Sequence, residues 1–237
     1  MSEPNSTLIL GDARDARDLD QFLTRAVGIR DGVVRVIARG KMAAFHVAAG
    51  FPLMLGAGAA TFVAQRGVAL AQEAELDVVV PISEVRDRLA RLARADAAGP
   101  QTLDVPPSRP SAPWTSTLPL GAAWTPVAQV PDDAWVAAAR GVAVRVQEAL
   151  PEQPGQPLVF TARDAVWSSE ESELGAGVLS GAPFLAHAYG FLAPQGVSRM
   201  FSTGEGPGSW RRLSSRGGTL MWRMGAGSVP TSSSAPF

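Results

Sequence analysis

The sequence predicts an α+β protein: two mixed sheet-and-helix domains joined by a proline-rich linker. Three observations carry that expectation. Apolar residues recur at helical spacing in separated stretches of the chain. Short β-branched runs bounded by Gly, Pro and Asp lie between those stretches. Five prolines fall between Gly99 and Pro113, where fixed φ angles and missing amide donors exclude a helix or a central strand. The expected organisation is an N-terminal domain over 1–98, a linker over 99–113, a C-terminal domain over 114–224 and a disordered tail over 225–237.

Taken in order, Thr7–Leu10 reads as a strand ended by Gly11. A helix follows, with Leu19, Phe22, Leu23, Ala26 and Val27 on one stripe and Asp15 or Asp18 as its cap. The run Gly32–Ala38 and the run Met42–Ala48 are expected to form a hairpin about a tight turn at Arg39–Gly40–Lys41. Phe51–Leu55, Thr61–Gln65 and Asp77–Val80 read as further strands. Pro81 and a cap at Ser83 then open a helix with Val85, Leu89 and Leu92 on one face.

In the second half, Pro131 leads into a long helix ending at Leu150. Trp135, Ala139, Val142 and Val146 give it an apolar face. Leu158–Thr161 reads as a short strand and Pro183–Leu192 as a helix. Val197–Ser202, Ser209–Leu213 and Thr219–Met224 read as three closing strands with Gly-rich turns. In the last, Leu220 and Trp222 face one way, and Met221 and Arg223 the other.

Composition removes several functions. The chain has no cysteine, which excludes disulfides, thiolate nucleophiles and zinc-thiolate sites. Met1–Asp12 lacks the features of a secretory signal, so a cytoplasmic location is expected. Met42–Ala64 is uncharged over 23 residues, but it is built mainly of Ala and Gly and contains His46 and Pro52. It is therefore expected to fold as buried strands and not to cross a membrane. A net charge of −1 gives no global attraction to nucleic acid.

The sequence carries no recognisable catalytic constellation. His46 and His187 are 141 residues apart, and neither belongs to a metal-ligand spacing, so no metal is expected. GxSxG and P-loop patterns are absent. Gly56–Thr61 resembles half of a dinucleotide fingerprint, but strand-like residues follow where a pyrophosphate site needs a helix. No cofactor is expected, and no catalytic residue is assigned. The acidic clusters at Asp12–Asp20 and Glu170–Glu173 read as solvated surface.

The most suggestive segment is the basic C-terminal one. Arg199, Trp210, Arg211, Arg212, Arg216 and Arg223 interleave aromatic rings with guanidinium groups. They are candidate contacts for nucleic acid or a partner, as a winged hairpin would present them. The small number of Arg residues and the near-neutral chain favour the plainer reading, in which Trp210 and Trp222 are core and the Arg heads solvate an open face.

Trp124–Thr125–Pro126–Val127, His187–Leu192, Trp210–Leu213 and Arg216–Gly218 together resemble conserved uncharacterised proteins of high-GC Actinobacteria. Twenty Arg against the single Lys41 agree with that origin. The resemblance covers about half the chain and implies no activity. The expected function is a non-catalytic binding or scaffold protein with a protein partner. Nucleic-acid binding through the C-terminal strands is the alternative, and a small-molecule enzyme ranks below it. Oligomeric state is not predicted.

Overall fold

The first helix starts where an aspartate can satisfy its free amides. The computed structural model describes residues 7–52, 59–95, 99–151, 155–206 and 208–223. Strand β1 (Thr7–Leu10) has the predicted bounds. Helix α1 (Ala13–Ile29) is capped by Asp12, one turn earlier than expected. Asp12 accepts from the amides of Arg14 (2.6 Å) and Asp15 (3.1 Å), and Asp15 reaches back to the Asp12 amide. This reciprocal box displaces the predicted Asp15 or Asp18 cap. The amides of Asp15 and Arg14 hold the Asp12 carboxyl below its ordinary range.

Strands β2 (Val33–Gly50) and β3 (Thr61–Pro81) form one long antiparallel hairpin. The turn predicted at Arg39–Gly40–Lys41 is instead an irregularity inside β2, where the register shifts between Gly40 and Met42. Gly40 has φ of 58°, a left-handed conformation that suits a bulge as well as a turn. The sequence signal was therefore real, but its use differs. Most of the predicted Phe51–Leu55 strand, the Gly56–Gly58 part of the dinucleotide-like run and the predicted 225–237 tail lie outside the described residues. Thr61 opens a strand and not a helix.

Helix α2 (Ile82–Ala95) and strand β4 (Gln101–Asp104) complete the first half, with β4 pairing along β1. Four residues of the predicted linker are thus part of the sheet. The second half runs β5 (Thr125–Pro131), α3 (Asp132–Glu148), α4 (Gln156–Trp167), α5 (Gly181–Ala188), β6 (Val197–Ser202), β7 (Arg211–Ser214) and β8 (Thr219–Arg223). The predicted strand at Leu158–Thr161 is the first part of α4. A short apolar run does not distinguish strand from helix, and Pro157 in the first turn favours the helix. Asp132, buried at the start of α3, accepts from Ser198 Oγ (2.6 Å) and the Ala193 amide (2.8 Å). It ties α3 to the segment entering β6.

The strands join in the order β4-β1-β3-β8-β7-β6-β5, with β2 along β3. The two α+β halves meet edge to edge where Thr61–Gln65 pairs with Thr219–Arg223. One sheet face is covered by helices. Leu19 and Phe22 of α1, Leu89 of α2, Trp135 of α3, Trp167 of α4 and Leu185 of α5 belong to a single core with Phe62, Leu220 and Trp222. A core continuous across both halves predicts one unfolding transition. No helix among the described residues is long and apolar enough to cross a membrane, and the described part of Met42–Ala64 is largely strand.

Gly181 sits where the α5 start meets this core. A Cβ there would lie 2.5 Å from Phe62 Cζ and 2.9 Å from Trp167 Cβ. Gly181→Ala is expected to destabilise the protein by about 1–3 kcal/mol, measured by chemical denaturation. An unchanged midpoint would mean that this packing is looser than described.

Candidate functional site

The opposite sheet face is only partly covered, and period-two alternation decides what it displays. Along β2, Val34, Val36 and Ala38 point into the helix-covered core, leaving Val33, Arg35, Ile37 and Arg39 on the other side. Beyond the bulge, His46 and Ala48 lie on that same open face, opposite Gln65 and Val63 of β3. On the neighbouring strands Met221 pairs with Val63, Arg212 with Met221 and Phe201 with Arg212. Cross-strand partners share a face, so these side chains form one surface.

The segment after β4 lies across this face. Its short 3-10 turn at Pro113–Thr117 buries Trp114, and Leu118 follows. They pack with Ala48, Val63, Trp210 and Met221 in a second, smaller core. Arg35 fixes the segment. Its guanidinium makes two 2.8 Å bonds to Asp77 and donates to the Thr115 carbonyl at 2.6 Å. The hydrogen bond to Asp77 raises the Arg35 pKa, and the same bond lowers that of Asp77. The proline-rich stretch is thus a strap laid over the sheet.

Between the strap and the sheet opens a cleft of about 550 Å³. Its apolar lining comes from Leu118, Leu120, Trp124 and Met221, with Ile37 and Ala44 beneath. Its polar lining is Arg39, His46, Gln65 and Arg212, and none of the described residues that line it carries a carboxylate or hydroxyl side chain. Leu120, 52% exposed, stands at the rim.

Arg212 is held by two rings. Its guanidinium carbon lies 4.5 Å from the Trp124 centroid and 4.4 Å from that of Phe201. Such contacts are worth about 0.5–2 kcal/mol each and fix the fork in place. Burial lowers its pKa, and its Nε is buried with no partner. No hydrogen bond or ion pair involves the Arg212 side chain among the described residues.

His46 is 3% exposed, and its Nδ1 likewise has no partner. Its pKa is pushed down from 6.5 to about 4 by burial, which outweighs the opposing Arg35 carbonyl; the Arg35 charge lowers it further, and Asp77 and the Ala44 carbonyl act weakly upward. The ring is therefore neutral at physiological pH.

The six candidate contact residues do not make a single surface. The β7–β8 hairpin is interior to the sheet, flanked by β6 and β3, so it cannot project as a wing. Trp210 is 5% exposed beneath the Arg223 guanidinium. Arg211 bonds Ser202 Oγ and the Gly204 carbonyl on the helix side. Arg199 is exposed on β6. Arg216 borders a second cleft with Arg25 and Arg66. Of the six, Arg212 alone lines the large cleft. His187 is exposed on α5, and no group of three metal-ligating side chains occurs among the described residues.

Sequence reasoning singled out Arg212 but passed over His46, Arg39 and Trp124. Alternation along Val33–Arg39 was the available signal for Arg39. Nothing local placed His46 beside the strap.

Residues 3–110 match the family described as Domain of unknown function (DUF8010). Residues 119–227 match Domain of unknown function (DUF8185). Residues 111–118 fall between the two matches, and of these Leu118 lines the cleft. No curated protein matches the chain. Among solved structures, the chain is similar to a Caulobacter crescentus beta sliding clamp, at 10% identity and a TM-score of 0.48. It is also similar to the DNA polymerase III subunit beta from Pseudomonas aeruginosa, at 14% and 0.43. A third is a DnaN sliding clamp from Bartonella birtlesii bound to griselimycin, at 9% and 0.45. Each comparison covers 95% of this chain, which spans 66% of the length of those proteins.

Proposed function

We propose that this protein is a non-catalytic binding module that docks a protein partner in the cleft between strap and sheet. The observation that carries this reading is Arg212: a guanidinium clamped between two aromatic rings, facing an apolar cleft, with no counter-ion of its own. Arg212 is half-buried, and a guanidinium partly withdrawn from water gains from a carboxylate that a partner supplies. The cleft lining holds no nucleophile or carboxylate, and His46, with a pKa near 4, is a weak base. Those features support binding over catalysis. The arginine-rich, cysteine-free composition supports a cytoplasmic setting in a high-GC actinobacterium.

Protein is favoured over nucleic acid because the basic residues are dispersed: Arg211 is tied down on the helix side and Trp210 is buried. A photo-crosslinking side chain at position 120, on the cleft rim, tests the reading in cells. A discrete protein adduct is expected from Leu120 and not from Leu158 on α4, and Ala44→Trp, which fills the cleft, should abolish it. Equal adducts from both positions, or adducts unaffected by Ala44→Trp, would contradict it.

A further inference from the structure

We propose that the cleft recognises an extended peptide segment in which an aspartate or glutamate lies next to an aliphatic or aromatic side chain. This rests on the preceding reading that the cleft is a docking site, and it assigns the chemistry of what docks.

The argument begins with charge. Among the described residues, two guanidinium groups line the cleft and no carboxylate does. Arg39 is exposed at its edge, and no ion pair involves it among the described residues. The second cleft differs: there Arg25 donates to the Tyr189 carbonyl, and Arg66 is engaged by Asp18 and the Gly217 carbonyl. Arg212 is thus ordered in advance and unneutralised. A fixed guanidinium fork matches a carboxylate in bidentate fashion, and little side-chain entropy remains to be lost on binding.

The second element is apolar. Leu118, Trp124 and Met221 line the same cleft as Arg212, and its volume of about 550 Å³ accommodates a medium or large hydrocarbon side chain with the peptide that carries it. Leu120 at the rim would cover the remainder. The cleft is open along the sheet and not enclosed, so its ligand stays partly in solvent, as a segment of a larger chain does.

The third element is His46. His46 lines the cleft, its Nδ1 is buried without a partner among the described residues, and the Gln65 amide stands opposite on the neighbouring strand. Depending on tautomer, Nδ1 needs either a donor or an acceptor. A peptide backbone supplies both within one residue. A phosphodiester backbone supplies acceptors only, and Arg212 already occupies one face of Trp124.

The test is selection of random phage-displayed peptides on the full-length protein. A synthetic copy of the most enriched peptide is then measured by fluorescence anisotropy. Enriched peptides should share an acidic residue beside a Leu, Met, Phe or Trp. Arg212→Gln should weaken the peptide about tenfold or more. Replacing the peptide acid by its amide should do the same, with no further loss when both changes are combined. Arg212→Lys keeps the charge but not the fork and should give an intermediate loss; its thermal melt checks that folding is intact. Enriched peptides without acids, still blocked by Ala44→Trp, would overturn the assigned chemistry while leaving the docking site standing. No enrichment, or peptides indifferent to Ala44→Trp, would remove both. Competition by a labelled oligothymidylate that depends on Arg212 would replace the peptide by nucleic acid and overturn the inference.

Discussion

Trp222→Ala is expected to destabilise the protein by about 3–5 kcal/mol, the typical loss for a large buried aromatic. Trp222 is 1% exposed and packs edge-on against Trp135, with centroids 6.3 Å apart. Its indole N–H donates to the Gly177 carbonyl at 2.9 Å, so truncation also leaves an acceptor without its donor. Its position matters more than its size. Trp222 lies on β8, opposite Phe62 of β3, at the seam where the halves join. Weakening it should move the whole unfolding transition, since typical stabilities are only about 5–15 kcal/mol. Urea titration followed by far-ultraviolet circular dichroism reads the effect. A loss under about 1 kcal/mol, or a transition that splits into two, would mean that the halves fold on separate cores.

The second large effect is a pH dependence from His46. Its folded pKa of about 4 lies below the ordinary 6.5 of an unfolded chain. Below 6.5 the unfolded state therefore binds a proton that the folded state refuses. Stability is fully present above pH 6.5 and is lost as pH falls toward the folded value near 4. The difference amounts to about 3 kcal/mol at pH 4. The charged groups facing the ring are Arg35 and Asp77 beneath the strap, with Arg39 and Arg212 around the cleft. The Arg35 charge opposes protonation as burial does, and Asp77 favours it. His46→Gln removes the titration, so its stability should be flatter than that of the wild type between pH 6.5 and 4. Parallel curves for the two proteins would place the imidazole in water.

Helix periodicity and strand alternation were enough to find most elements, because both report which face of an element is dry. The α1 stripe from Leu19 to Ala26, the α3 face of Trp135, Ala139 and Val142, and the opposed faces of Leu220 and Met221 all follow from that rule. Failures came where a local signal has two structural uses. Gly40 can end a hairpin or bulge a strand. Leu158–Thr161 can extend or coil, and tertiary packing of Trp167 against Phe62 and Phe184 decides for the helix. The proline-rich stretch was legible as non-helical but not as a strap, since what holds it is Arg35, 80 residues away from Thr115. The cleft was hidden for the same reason. Arg39 and His46 of β2, Trp124 and Arg212 come from three parts of the chain, and the β3–β8 seam and the strap bring them together.

The claim that the open-face cleft is the docking site is tested most directly by where a bound peptide acts on the folded protein. In a nitrogen-15 NMR titration with the enriched peptide, the Trp124 indole and the Arg212 Nε resonance should shift saturably. The Trp222 indole, on the opposite face and bonded to Gly177, should not move. Shifts centred on Arg216 and Gly217 or on α4, with Trp124 and Arg212 unchanged, would contradict the account.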